Sequence, residues 1–308
     1  MKKWLVFLMF FVLLGGSILP YSAQAAGFKD VPNSYWASKE INFLSEKQVI
    51  KGYTNGYFGI NDPVKRSHAA VMLARTLELD LTNNPDPGFK DVTPDHPAYK
   101  EIAAVVEYGI FNKADYFNPN NNITRAQMAK VLAESFLLYP LFEVPFKDVK
   151  KSDWFYEYVQ GLANYNITTG SNGYYKPGKS LTRTEFSVFL ARILDPKFRP
   201  GLHAIANEAV YNSNGEIEAE VLFYNNTKNT IAELNARFGL YGDKELIAEH
   251  QYTSANPYPV KLPNIALKPG QTKEIKITFK PEEIAKQTNL DLIEYWEILV
   301  MYEYKISK

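Results

Sequence analysis

Two hydrophobic periodicities divide this chain. Up to about residue 195, apolar positions recur at helical spacing in paired runs, and beyond it they alternate every second residue. The clearest pair spans 154–194. Trp154, Phe155, Tyr158, Val159, Leu162 and Ala163 predict a first helix, with Ser152 or Asp153 available as its cap. Asn164 to Gly173 breaks it. Thr182 and Glu185 then form a capping box, and Phe186, Phe189, Leu190, Ile193 and Leu194 supply the buried face of a second helix. An earlier run repeats this with Thr124 and Gln127, followed by Ala129, Val131, Leu132 and Phe136. The earliest run has Lys65 where the cap belongs, so its box is broken.

The pairs are copies of one unit. Phe28-Lys-Asp-Val31, Phe89-Lys-Asp-Val92 and Phe146-Lys-Asp-Val149 open three segments, 61 and then 57 residues apart. From each opening Phe to the Arg of the later segment the separation is 38, 36 and 37 residues, reaching Arg66, Arg125 and Arg183. A nearly fixed period means one supersecondary unit used three times, and a helix pair this small needs its neighbours to bury its apolar stripe.

The alternating pattern begins after Asp195–Gly201, whose prolines and glycine read as a linker. Ile217, Ala219, Val221 and Phe223 alternate with Glu218, Glu220 and Leu222, the signature of a half-buried strand. Asn225-Asn226-Thr227 turns the chain, and further strands are predicted at 236–241, 246–252, 261–267, 273–279 and 295–306. Such a run of short strands predicts an antiparallel β-sandwich. The expected organisation is a signal peptide at 1–25, repeats at 26–84, 85–143 and 144–195, a linker at 196–204 and a β-domain at 205–308.

Composition narrows the setting. Lys2 and Lys3 precede the apolar run Trp4–Leu19, and Ala23-Gln-Ala25 fits a signal-peptidase site, so the mature chain is expected to start at Ala26. Cysteine is absent, which excludes lipoprotein processing, disulfides and thiolate metal sites. Basic and acidic residues balance at 34 each, so no overall field points to nucleic acid. With no covalent anchor recognisable in the sequence, the triple array is the expected means of holding a surface.

The candidate chemistry lies at the start of each second helix. Arg66, Arg125 and Arg183 take the first helical position, beside amides that lack intrahelical acceptors, and such a place suits an anion. Surface ion pairing is the plainer role for one Arg, but three at equivalent positions favour a ligand. Asp30, Asp91 and Asp148 recur as turn or capping acids. His68, His96, His203 and His250 are scattered, and no nucleophile, phosphate-loop or metalloprotease fingerprint occurs.

With its F-K-D-V openings and T-R-x-[EQ] segments, the array resembles the S-layer homology (SLH) domain of bacterial cell surfaces. The β-region is similar to the immunoglobulin-like domains of bacterial surface proteins. The fold class expected is therefore multidomain: an all-α SLH array in a pseudo-threefold prism, then an all-β immunoglobulin-like sandwich. The resemblance implies a secreted, non-enzymatic protein of the bacterial cell wall or S-layer surface. It implies binding, in grooves between copies, to a pyruvylated secondary cell-wall polysaccharide attached to peptidoglycan. Arg183, Arg125 and Arg66 would hold the pyruvate carboxylate, and Trp36 and Trp154 would lay their rings on a sugar, a packing role being equally consistent. Gly52 and Gly170 would allow close approach, or simply turn the chain. No cofactor, metal, catalytic residue or nucleic acid is implied, and no membrane contact after signal cleavage. Other surface proteins remain open as partners of the β-domain. Copy two has Pro97 and Lys113 at the Trp and Gly positions, and copy one has Lys65-Arg66-Ser67-His68 in place of T-R-x-E. One or two competent grooves are therefore expected. The rival readings are a surface hydrolase acting through the C-terminal domain, and an assembly module for another S-layer protein.

Overall fold

The structure, a computed structural model, describes residues 27–138, 140, 143–242, 245–251, 253, 255–257, 259–293 and 296–306. The expected signal peptide and the start at Ala26 lie outside the described residues. Among the described residues, six α-helices in three pairs are followed by antiparallel strands. The helices are α1 (Ser38–Glu46), α2 (Arg66–Thr76), α3 (Tyr99–Glu107), α4 (Arg125–Ser135), α5 (Tyr156–Asn164) and α6 (Arg183–Leu194). Contacts sort the chain into two units, one running to Leu137 and adding Lys176–Ala191, the other combining Leu138–Tyr175 with Arg192–Lys308. The third repeat thus contributes to both.

The second helices start as their sequences dictate. Thr124 and Gln127 exchange side chain-to-backbone hydrogen bonds across the first turn of α4. Thr182 and Glu185 do the same on α6, whereas Lys65 makes no side-chain cap on α2. The first helix of copy three starts later than its apolar pattern suggests. It opens at Tyr156 without a side-chain cap, because the Asp153 carboxylate accepts from the Lys150 amide at 2.8 Å and closes the preceding turn instead. Trp154 and Phe155 therefore precede the helix. Ile41, Leu44, Leu73, Ile102, Met128 and Leu132 are fully buried core residues on helices of the first unit.

The segments leading into α2, α4 and α6 hold one another in a cycle. The Val64 amide donates to Leu181 O, the Leu181 amide to Ile123 O and the Ile123 amide to Val64 O, at 2.8, 3.0 and 2.9 Å. All three side chains are fully buried. A second cycle joins the arginine amides: Arg66 N donates to Asn121 O, Arg125 N to Lys179 O and Arg183 N to Asp62 O, each at 2.9 Å. Helix N-termini lack internal acceptors for their first amides. Here each copy's neighbour supplies them, which is why no copy can be complete alone.

In the second unit, β1 (Gly201–Tyr211), β2 (Ile217–Asn226) and β6 (Thr272–Phe279) form one sheet in the order β1-β2-β6. In the other, β3 (Ile231–Gly242) pairs with β4 (Glu245–Glu249), β5 (Val260–Leu262) and β7 (Trp296–Ile306). All pairings are antiparallel. Ile217, Ala219, Val221 and Phe223 point into a core shared with Leu234, Ala236, Phe238 and Leu240 of β3, as strict alternation on β2 predicts. Phe223 meets Phe238 edge-on at 6.0 Å.

Two expectations change here. The stretch 196–204 is no free connection: a 3-10 turn occupies Pro196–Phe198 and β1 opens at Gly201. The Asn226 side-chain amide fastens it by donating to Lys197 O and Arg199 O at 2.8 and 2.7 Å. The strand predicted at 261–267 shrinks to Val260–Leu262, because Asn264 and Ala266 adopt positive φ, incompatible with extended pairing.

Candidate functional site

Each F-K-D-V aspartate fastens the loop that ends at a second helix. Asp30 accepts from the amides of Phe58, Gly59 and Ile60 at 2.6, 2.7 and 3.2 Å. Asp91 accepts from Phe117 and Asn118, and Asp148 from Tyr175. These are the turn acids that the sequence suggests. Partial burial pushes the Asp30 carboxyl up, but the three amides outweigh it and leave its pKa below the ordinary value.

Arg183 opens α6 and crosses to the loop of copy one. Its side chain is buried; Nε donates to Phe58 O at 2.8 Å and Nη2 to Lys51 O at 3.0 Å. The guanidinium lies over the rings of Tyr53 and Phe58, 5.0 and 4.8 Å from their centroids. Tyr53 in turn donates to Asp62 at 2.8 Å. Burial lowers the Arg183 pKa against the opposing influence of Tyr53, Asp62 and Asp30, yet a guanidinium starts so high that it stays charged. The carbonyls take two of its five N–H groups.

Arg66 repeats this geometry one copy along. Its Nε donates to Phe117 O at 2.7 Å, and the guanidinium sits over Phe111 and Phe117 at 5.1 and 4.8 Å. Arg66 is half-buried, and its Nη groups have no hydrogen-bond partner among the described residues. Arg125 is buried, lies over Phe189 at 5.4 Å and approaches Glu185 at 3.4 Å. Glu185 also receives Lys179 at 3.1 Å. Burial raises Glu185, but the Thr182 amide, Lys179 and Arg125 prevail and hold it below the ordinary carboxylate value.

Trp36 is 63% and Trp154 60% exposed, so neither is a core residue. Gly52 and Gly170 are packed from one side. A Cβ on Gly52 would meet the Phe28 ring at 2.5 Å and Tyr57 O at 2.8 Å, and one on Gly170 would meet Phe146 and Tyr174 O at 2.7 Å each. Gly170 also has a φ of +65°. Both glycines therefore make room for the Phe of their own F-K-D-V segment.

The segments that carry three predicted residues, Arg183, Gly52 and Trp36, meet in the first unit. Arg183 touches Lys51 and Tyr53, which flank Gly52. The hydroxyls of Tyr35, next to Trp36, and Thr184, next to Arg183, are 3.2 Å apart. Arg66 faces copy two instead, where Pro97 and Lys113 replace the Trp and Gly. Trp154 and Gly170 belong to the second unit with Phe146. Sequence reasoning missed Tyr53 and Asp62, which act only through this fold. Tyr57, Tyr116 and Tyr174 recur one residue before Phe58, Phe117 and Tyr175, a regularity visible in the sequence.

Three segments, 27–70, 88–129 and 145–187, match the S-layer homology domain family. The chain is 32% identical over 203 residues to an S-layer protein of Bacillus licheniformis, and 31% identical over 203 residues to S-layer protein EA1 of Bacillus anthracis. Each match covers 64% of this chain and 23% of the relative. An uncharacterized cell wall amidase of Bacillus anthracis is 32% identical over 176 residues, 55% of this chain and 32% of that protein. The chain therefore spans less than a third of the length of these curated relatives. The matched family and relatives mark a secreted cell-surface protein attached to the cell wall. The three matched segments coincide with the three helix pairs of the array, which is therefore made of three tandem S-layer homology domain repeats.

Proposed function

We propose that the array anchors this protein non-covalently by binding an anionic, pyruvylated secondary cell-wall polysaccharide. The observation that carries the reading is the convergence at α6. Arg183, a charged helix start, the glycine loop of copy one and the exposed Trp36 segment lie together. A carboxylate there would meet guanidinium N–H groups, and a neighbouring sugar would meet an indole face. The three copies would form a pseudo-threefold prism, extending the backbone cycle at 64, 123 and 181. One or two grooves would be competent, Arg125 and Arg66 being the candidates beside Arg183, while Trp154 and Gly170 would offer an indole face and a bare backbone within copy three.

The β-region would be an immunoglobulin-like spacer or partner-binding module. A hydrolase is the alternative, since one relative is named as an amidase. Against it, Glu218 and Glu220 approach Lys276 at 3.9 and 4.0 Å, while Asn212 donates to Glu216 and Glu218. These acids are engaged as strand-surface pairs and not poised as an acid/base couple.

Trp36→Ala and Arg183→Lys test the groove with purified pyruvylated wall polysaccharide as the ligand. Trp36 is exposed, so its loss should change stability by less than about 0.5 kcal/mol while weakening binding about tenfold. Lysine keeps the charge but not the two-pronged geometry, so Arg183→Lys should weaken binding at least as much. Undiminished affinity in both folded variants would remove this groove from the account.

A further inference from the structure

Lysine and tyrosine meet in the same way in all three repeats, outside the arginine sites. The ammonium groups of Lys29, Lys90 and Lys147 lie over the rings of Tyr57, Tyr116 and Tyr174, at 5.6, 5.4 and 5.1 Å from the centroids. The tyrosines are 46%, 53% and 43% exposed. Contact of a cation with a ring holds both side chains in place at modest entropic cost.

Copies one and three differ from copy two in what neutralises the ammonium. Gly56 and Gly173 have φ of +84° and +79°, and a Cβ on either would press the Lys Cε at 3.3 Å. The bare backbone lets the lysine stem lie flat along the loop and bring its charge to the ring. In copy two the equivalent position, whose carbonyl accepts the Lys90 amide, is Asp115. Its carboxylate takes the Lys90 ammonium at 2.6 Å. Lys29 and Lys147 have no carboxylate partner among the described residues; Lys147 reaches only Asn172 O, at 3.4 Å. The hydroxyls of Tyr57 and Tyr174 likewise have no partner among the described residues.

We propose that the Lys29–Tyr57 and Lys147–Tyr174 pairs are two further saccharide subsites, each taking a carboxylate-bearing sugar residue of the wall polysaccharide. A pyranose offers an apolar C–H face that packs on an exposed aromatic ring, and hydroxyls that the phenol can reach. An unpaired ammonium beside the ring selects a carboxylate substituent. The Lys90–Tyr116 pair, with its charge already met by Asp115, is not such a subsite. This inference rests on the wall-polysaccharide reading and extends the contact beyond Arg183.

The test uses the full chain, with the purified pyruvylated polysaccharide and the same polymer after hydrolysis of its ketals. Circular dichroism confirms that each variant is folded. Tyr57→Ala and Tyr174→Ala are each expected to weaken binding about tenfold, Tyr57→Phe to retain most of it and Tyr116→Ala to change it less than about twofold. Lys29→Gln should weaken binding to the ketal-bearing polymer and leave any residual binding to the hydrolysed polymer unchanged. Normal binding by folded Tyr57→Ala and Tyr174→Ala would overturn this inference alone. An equal loss in Tyr116→Ala would overturn the distinction drawn at Asp115. Failure of the unaltered protein to bind either polymer would defeat both this inference and the anchoring reading.

Discussion

Asp30 joins two parts of its repeat that lie 28 residues apart, because one carboxylate can accept several amides at once. Its pKa is lower folded than unfolded. The stabilisation is therefore complete above the unfolded value, near 4, and is lost as pH falls through the folded value. Asp30→Ala should cost about 2 kcal/mol at neutral pH, the scale of charge-assisted bonds to a partly exposed carboxylate. Urea melts from pH 7 to 3 should show the gap between variant and parent closing below pH 4 or so; a constant gap would mean that the charge is not what stabilises the loop. The turn role of Asp30, Asp91 and Asp148 was legible in their recurrence. The environment of the arginines was not. Arg183 was readable as a charge at a helix start, but its bonds to Phe58 O and Lys51 O depend on residues 125 and 132 positions away.

Element by element, legibility follows how local the cause is. The boxes at Thr124–Gln127 and Thr182–Glu185 are set by residues three apart, and both form as the sequence dictates. The 196–204 stretch was misleading because the group that fastens it, Asn226, lies on another strand. Just beyond it, His203 is buried on β1 and stacked on Tyr224, centroids 4.9 Å apart and 5° from parallel. Burial, with Arg199 nearby, pulls its pKa down to about 4. The carbonyls of Pro196 and Gly201 oppose this electrostatically, without hydrogen-bond geometry to either ring nitrogen. A lowered histidine pKa means the unfolded chain takes up the proton first, so stability is full above about pH 6.5 and falls until about pH 4. The loss from His203 should approach about 3 kcal/mol. His250, also shifted down by burial, adds in the same direction. Unfolding followed through the β-region should show His203→Phe, which keeps the stack, losing distinctly less stability between pH 6.5 and 4 than the parent. Identical pH profiles would contradict this assignment.

For the whole molecule, the period of the F-K-D-V segments made the repeat plain, and the need of each helix pair for neighbours followed from its size. The way the need is met was not readable. Val64, Ile123 and Leu181 look like ordinary apolar residues before a helix, and nothing local to them announces the mutual hydrogen bonds that join the starts of the three second helices. Arg183 and Arg66 each bond to loop carbonyls of another copy, and the proposed anion-binding groove rests on that arrangement. The direct measurement is cosedimentation of the full chain with purified bacterial cell walls that retain their pyruvylated polysaccharide, compared with the same walls stripped of it. The account predicts strong retention on the first and little on the second, with free polysaccharide competing the protein away. Equal retention on both preparations would contradict it.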